Sequence, residues 1–317
     1  MKGRVFVKVL NNKQLLKLLP DITKNELGKD VNGLKFIGGG SFGKVFKGIM
    51  SDGEFIILKV YRIKDMNINE ANQLKILSKN TSVTMPEVFF TYNDTQVEMM
   101  AMSFIEGANA LNPLFLLKSS DKKQYFAKSV ISGMAELHSV TNNKFGPVDN
   151  PTYDSWLEFY EETILTPKLN GLKELSEKGK YSKRKFKILQ QAAEFYRNNI
   201  EEPENAVLIH GDLNIMNIMA DKKTMKLNGF IDPCNTLWAD REYDLFQLLN
   251  MWGNSFYLYD TYKSKSQMSK YCDFKVAFFG AINEAGCLLT SGVHMPLWEI
   301  LCFNRLKKEM KKLGLLK

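Results

Sequence analysis

The chain has 317 residues, 44% hydrophobic and 25% charged, which suits an ordinary soluble globular protein of two lobes rather than one small core. Its net charge is +8, and no run of about 18 apolar residues occurs, so neither a membrane-spanning helix nor a membrane partner is expected. The 4 cysteines (Cys234, Cys272, Cys287, Cys302) form no C-x-x-C pair, and the 3 histidines are scattered, so neither a zinc site nor a disulfide framework is expected.

The stretch Met1–Leu10 starts basic but is too short in apolar residues for a secretion signal, so a cytoplasmic location is expected. A short helix is predicted from Lys13 to Leu19, ending at Pro20. From Gly33 the pattern turns to strands: Leu34–Ile37, then Lys44–Ile49 after a glycine-rich turn, then Glu54–Tyr61 after the hairpin signal Ser51-Asp52-Gly53. A helix capped by Asn67 or Asn69 runs through Leu74, Ile76 and Leu77. Strands over Glu87–Tyr92 and Val97–Phe104, parted by Asn93-Asp94, complete a module of five strands and one helix.

The pattern changes near Glu106-Gly107, which places an N-terminal lobe at 1–104 and a helical lobe at 105–317. Helical spacing recurs over Tyr125–Val140, Ser155–Leu165, Lys185–Asn199 and Tyr243–Trp252. Residues 206–232 instead read as two short strands around a polar loop, with a hairpin at Asp221-Lys222-Lys223. Basic runs at Lys178–Lys187 and near Lys307, Lys308, Lys311 and Lys312 each pass into an amphipathic pattern and read as solvated helix faces, so no nucleic-acid partner is expected.

Three separated features carry chemistry. Gly38-x-Gly40-x-x-Gly43-x-Val45 fits a loop that covers nucleotide phosphates, because glycine lets backbone N–H groups approach them closely. A Walker A reading fails at Val45, where Ser or Thr is needed, and at the strand that follows. Lys59 follows Gly38 by 21 residues within an apolar strand, where a buried charge needs a partner, and Glu70 on the next helix can supply it. The bland alternatives are a snorkelling edge lysine and a solvent-facing glutamate. Finally, His210-Gly211-Asp212-Leu213-Asn214-Ile215-Met216-Asn217 and Ile231-Asp232 set an Asp, an Asn five residues on and a second Asp after a hairpin. That arrangement can orient an attacking hydroxyl and hold Mg²⁺ against phosphates. The agreement of the three in order and spacing points to an α+β, protein-kinase-like two-lobed fold.

The catalytic loop reads His-Gly-Asp, the metal Asp precedes Pro233, and no room remains for an activation loop before the next helix. These features resemble the aminoglycoside phosphotransferase superfamily of small-molecule kinases. Phe145–Asn150, Ser155–Tyr160, Asp232-Pro233 and Asp240–Leu245 are most similar to its fructosamine kinase branch, as is the aromatic stretch Trp252–Tyr257. Asn214 and Ser41 depart from that branch, which usually has Trp and often Cys there.

The resemblance implies ATP, or GTP, as donor and Mg²⁺ as cofactor. Asp212 would act on the acceptor hydroxyl, with Asn217 and Asp232 on the metal and Lys59, held by Glu70, on the phosphates under Gly38, Gly40, Ser41, Gly43 and Val45. The adenine would hang near Ser103 and Ile105 with Met102 behind it. His210 would shape the loop, and Arg241 and Asp244 would brace it. The acceptor, a sugar or amino-sugar-like molecule, is placed near Asp154, Trp156, Tyr160, Asp240 and Glu242. An antibiotic phosphotransferase of the same fold and a non-catalytic nucleotide-binding pseudokinase are the alternatives.

Overall fold

The computed structural model describes residues 7, 9–40, 42–290 and 295–317; Ser41 and most of the Met1–Leu10 stretch lie outside them. Helix α1 (Asn12–Leu27) opens with a capping box, in which Asn11 and Gln14 exchange side-chain-to-backbone hydrogen bonds of 3.0 Å. It does not stop at Pro20. The proline removes one bond to the Leu16 carbonyl, but Leu16 lies on the exposed face where water can replace it. Gly28, at φ 68°, ends the helix in the left-handed conformation.

Strands β1 (Val31–Gly39), β2 (Gly43–Met50) and β3 (Phe55–Tyr61) lead into helix α2 (Met66–Ser78), and β4 (Val88–Asn93) and β5 (Glu98–Ser103) follow. They form one antiparallel sheet in the order β1-β2-β3-β5-β4. The five strands stand where the alternation of apolar residues puts them, and α1 contains the helix expected over Lys13–Leu19 but runs on to Leu27. One face of the sheet, with Ile56, Leu58, Val60, Met99 and Ala101, packs on Leu15, Leu19 and Ile22 of α1. The other, with Ile57, Tyr61, Met100 and Met102, packs on Leu74 and Leu77 of α2 and joins the core of the second lobe. Neither Asn67 nor Asn69 caps α2. Its N-cap is Asp65, and Asn67 is buried, donating to the Tyr92 and Met99 carbonyls at 3.3 and 3.0 Å.

Beyond Ser103 the chain enters a helical lobe through β6 (Ala108–Asn109), α3 (Pro113–Leu116), α4 (Ser120–His138), β7 (Thr141–Asn142) and β8 (Gly146–Pro147). Helix α5 (Trp156–Tyr160) continues through a π turn (Glu161–Leu165) into α6 (Thr166–Glu177), and α7 (Lys183–Asn199) follows. Strands β9 (Ala206–Leu208), β10 (Ile218–Ala220), β11 (Leu227–Phe230) and β12 (Leu237–Ala239) frame the polar loop in two small sheets, ordered β11-β10-β6 and β7-β9-β12-β8. Helices α8 (Arg241–Asp244), α9 (Leu258–Lys265), α10 (Cys272–Thr290) and α11 (Pro296–Lys312) close the lobe.

The helix expected over Tyr243–Trp252 is instead the end of α8 followed by a 3₁₀ segment, Leu245–Leu249. Leu245, Phe246, Gln247 and Leu248 are all buried, so no solvent face exists there, and Met251 and Trp252 take positive φ angles that end any helix. Among the described residues no helix is long and apolar enough to cross a membrane.

Candidate active site

The alternation of β3 determines where Lys59 points. Ile57, Lys59 and Tyr61 share the face turned toward α2 and the second lobe, opposite the α1 face. The Lys59 ammonium donates to Glu70 Oε1 and Oε2 at 2.9 and 2.7 Å and to Asp232 Oδ1 at 2.5 Å, and it is buried. Tyr61, two residues on and on the same face, donates its hydroxyl to Glu70 at 3.0 Å. Burial opposes the lysine charge, yet the Asp232 and Glu70 carboxylates outweigh it and hold the ammonium above its ordinary pKa. Burial also pushes Glu70 up to about 7 against the pull of Lys59.

The loop between β9 and β10 holds Asp212. Gly211 sits at φ 82°, and a Cβ there would stand 2.4 Å from the Asn235 carbonyl oxygen, so only glycine fits. The Asp212 carboxylate accepts from the amides of Asn214 at 2.8 Å and Asn217 at 3.0 Å, one on each oxygen. Burial, then the neighbouring Asp232 carboxylate, pushes Asp212 up to about 8; a divalent cation beside Asp232 opposes the second effect.

Asp244 accepts from the backbone N–H groups of His210 and Gly211 at 3.1 and 3.0 Å, which pins the start of the loop. Behind it stand His138, with Nε2 3.4 Å from Asp244, and Tyr262, whose hydroxyl meets His138 Nδ1 at 2.7 Å. Neither His138 nor Tyr262 is marked by local spacing. Burial drives the His210 imidazole down to about 4, against the pull of Asp244. A neutral His210 is a poor proton acceptor for chemistry near pH 7, and its Nδ1 meets the Asp212 N–H at 3.4 Å instead. Arg241 does not brace this loop. It heads α8, and its guanidinium donates to the Gln267 carbonyl.

Asp232 (φ 57°) and Asn217 come together because the Ile231 N–H donates to the Asn217 carbonyl at 2.9 Å. The Asn217 amide nitrogen is turned to Asp212, which leaves its Oδ1 as the atom on offer to a cation. One carboxylate and one amide oxygen form a hard donor set that fits Mg²⁺, an ion that completes its shell with water and phosphate oxygens. Among the described residues no group of three or more His, Cys, Asp or Glu gathers as a protein-only metal cage.

In the glycine loop, Gly43 is required sterically: a Cβ would lie 2.4 Å from the Val60 carbonyl oxygen. Gly39, outside the G-x-G-x-x-G positions, is equally constrained, at 2.5 Å from the Gly43 oxygen, whereas Gly38 and Gly40 face open space. Val45 pairs with Lys59 across β2 and β3. At the crossing between lobes Met102 is buried on the cleft face and Ile105 is buried. The Ser103 N–H donates to the Glu87 carbonyl and its hydroxyl accepts from the Glu87 N–H, both at 2.8 Å, so the N–H is already engaged within the sheet edge.

The expected acceptor residues do not converge. Trp156 and Tyr160 are fully buried, stacked on each other with ring centroids 5.5 Å apart within an aromatic core that includes Tyr243 and Phe279. Asp154 is exposed and ion-paired with Lys144. Asp240 and Glu242 are buried around Lys275, whose ammonium lies 2.5 and 2.9 Å from them. With Arg241 they line a separate cavity of about 640 Å³ that also touches Thr141 and Tyr271.

Burial penalises the Glu242 charge, but Lys275 and Ser269 hold its pKa below the ordinary carboxylate value. A depressed folded-state pKa contributes stability above the unfolded value of about 4.3, and that stability is lost as pH falls through the folded pKa. Lys275→Met removes the partner of two buried carboxylates and is expected to destabilise the fold by about 3–5 kcal/mol. Urea unfolding at pH 7.5 checks this, and an unchanged midpoint would contradict it.

These elements define a two-lobed, protein-kinase-like fold. The chain belongs to the phosphotransferase enzyme family (APH), whose model matches residues 34–258. It is 22% identical over 179 residues to the uncharacterized protein YcbJ of Escherichia coli (strain K12), covering 55% of this chain and 59% of that protein. The chain therefore spans less than two thirds of the length of the curated relatives it matches.

A candidate fructosamine-3-kinase from Thermobifida fusca superposes with a TM-score of 0.71 at 15% identity, covering 93% of this chain and 99% of that one. The GDP and kanamycin complex of APH(2")-IIia superposes at 0.62, also at 15% identity, covering 94% and 99%. At identities this low the superpositions establish the fold alone.

Proposed function

We propose that the protein transfers the γ-phosphate of ATP to a hydroxyl of a small sugar- or amino-sugar-like acceptor, in the manner of a fructosamine kinase. The observation that carries this reading is the Asp212 carboxylate, oriented by two amides beside the Lys59–Asp232 pair. The acceptor hydroxyl gives its proton to Asp212 as its oxygen bonds to phosphorus, and the bond to the β–γ bridging oxygen breaks to release the nucleoside diphosphate. Lys59, kept charged and positioned by Glu70, faces the donor phosphates. Asp232 and Asn217 would hold Mg²⁺, which when bound neutralises phosphate charge. Asp232→Asn and Asn217→Ala are each expected to weaken nucleotide binding and raise its Mg²⁺ requirement; titrations unchanged in both would place the cation elsewhere.

Retention of Lys59, Asp212, Asn217 and Asp232 within one cleft argues against a non-catalytic nucleotide-binding protein. An aminoglycoside-type phosphotransferase needs clustered carboxylates for a polycation, and Asp154, Asp240 and Glu242 are each paired with a lysine. The expected result is a higher kcat/KM on a ketoamine such as fructosyl-glycine than on kanamycin or streptomycin, with ATP and GTP compared as donors. A preference for either antibiotic would overturn the fructosamine-kinase reading.

A further inference from the structure

Between α2 and the helical lobe lies a cavity of about 610 Å³, within the range of small-molecule sites. It abuts the candidate active site on two sides. Asn235 and Thr236 form part of one wall; Thr236 donates its hydroxyl to the His210 carbonyl at 3.1 Å, and Asn235 packs its carbonyl on Gly211. Asn69, Asn72 and Gln73 form another, on the helix that carries Glu70. The cavity therefore spans both lobes and borders both the catalytic loop and the helix that holds Lys59 in place.

Its polar lining consists mainly of neutral amides and hydroxyls. Among the described lining residues Asp149 is the one carboxylate and Lys168 the one ammonium, the latter donating to Asn283 at 3.4 Å. Gln73 lines this wall, and its Oε1 atom has no hydrogen-bond partner among the described residues. An amide offers both donor and acceptor, which matches a hydroxyl group, whereas each ammonium of a polycation demands a carboxylate. Phe159 and Leu237 add apolar surface for the carbon face of a sugar ring.

We propose that this cavity seats the non-reacting body of the acceptor: a polyhydroxylated molecule carrying at most one amine and one carboxylate, read by amides from both lobes. Gln73 and Asn283, on opposite lobes, are its specificity determinants. The inference rests on the phosphotransferase reading above but is testable without turnover.

The probe is fructosyl-glycine, with kanamycin as the polycationic comparison. Binding is followed by saturation-transfer NMR, and nucleotide affinity is measured separately in the absence of acceptor. Gln73→Leu removes an unpartnered oxygen and breaks no internal hydrogen bond of that atom, so the fold should tolerate it. Gln73→Leu and Asn283→Leu are each expected to weaken probe binding about 3- to 10-fold, with nucleotide affinity unchanged. Three results would overturn the proposal: unchanged probe affinity in both variants, no probe binding by a wild type that binds nucleotide, or tighter binding of kanamycin than of the probe. Probe binding that responds to both variants, without any phosphoryl transfer, would uphold the cavity assignment and sink the phosphotransfer reading instead.

Discussion

Asp212→Ala is expected to lower turnover by about 10²–10⁴ while nucleotide affinity stays near the wild-type value. In the proposed mechanism the residue serves the acceptor hydroxyl rather than the donor phosphates, and the Asn214 and Asn217 amides hold its carboxylate in place. The carboxylate is also flanked by Asp232, so its removal relieves repulsion and should leave the fold at least as stable. Steady-state kinetics with a nucleotide-binding titration separate the two effects. Retention of more than about a tenth of the turnover would contradict the role assigned to Asp212.

Lys59→Met is expected to cost both nucleotide binding and stability. The lysine neutralises Glu70, which is 2% exposed, and breaking such a pair by removing one member costs about 3–5 kcal/mol when the survivor stays charged. Glu70 can escape part of that cost by binding a proton, since burial already raises it to about 7 and loss of Lys59 raises it further. The sign of the pH dependence follows. An acid whose folded pKa lies above its unfolded value favours the folded state most at low pH, and that contribution is lost as pH rises through the folded pKa. The variant should therefore be closest to wild-type stability near pH 5.5 and furthest from it near pH 8.5. Equal destabilisation at both values would mean that Glu70 does not bear the charge left behind.

What the sequence revealed and what it concealed divide along a physical line. Lys59, Asp212, Asn217 and Asp232 are legible because their chemistry sits in short loops or on a strand of period two, where neighbours in sequence are neighbours in space. The five strands are legible for the same reason. The support of the catalytic loop is not, because Asp244 takes its partner His138 from a residue 106 positions away. Helix α10 lacks a readable stripe because the consecutive residues Val276, Ala277, Phe278 and Phe279, with Phe274, are all buried and so occupy its whole circumference.

The acceptor residues were misplaced by burial that no local pattern reports. Carboxylates on α8 look solvent-facing until Lys275 is brought to them from α10, and Trp156 and Tyr160 are core aromatics rather than a stacking surface. Conversely, the amides on α2 gain meaning only when the second lobe folds against them.

The most direct measurement is a ³¹P NMR time course of the full chain with MgATP and fructosyl-glycine. Phosphoryl transfer requires a new phosphomonoester resonance to grow in step with ADP, and to vanish with Asp212→Ala. Release of inorganic phosphate alone, or an unchanged ATP spectrum in a protein that demonstrably binds both ligands, would contradict transfer to the acceptor hydroxyl.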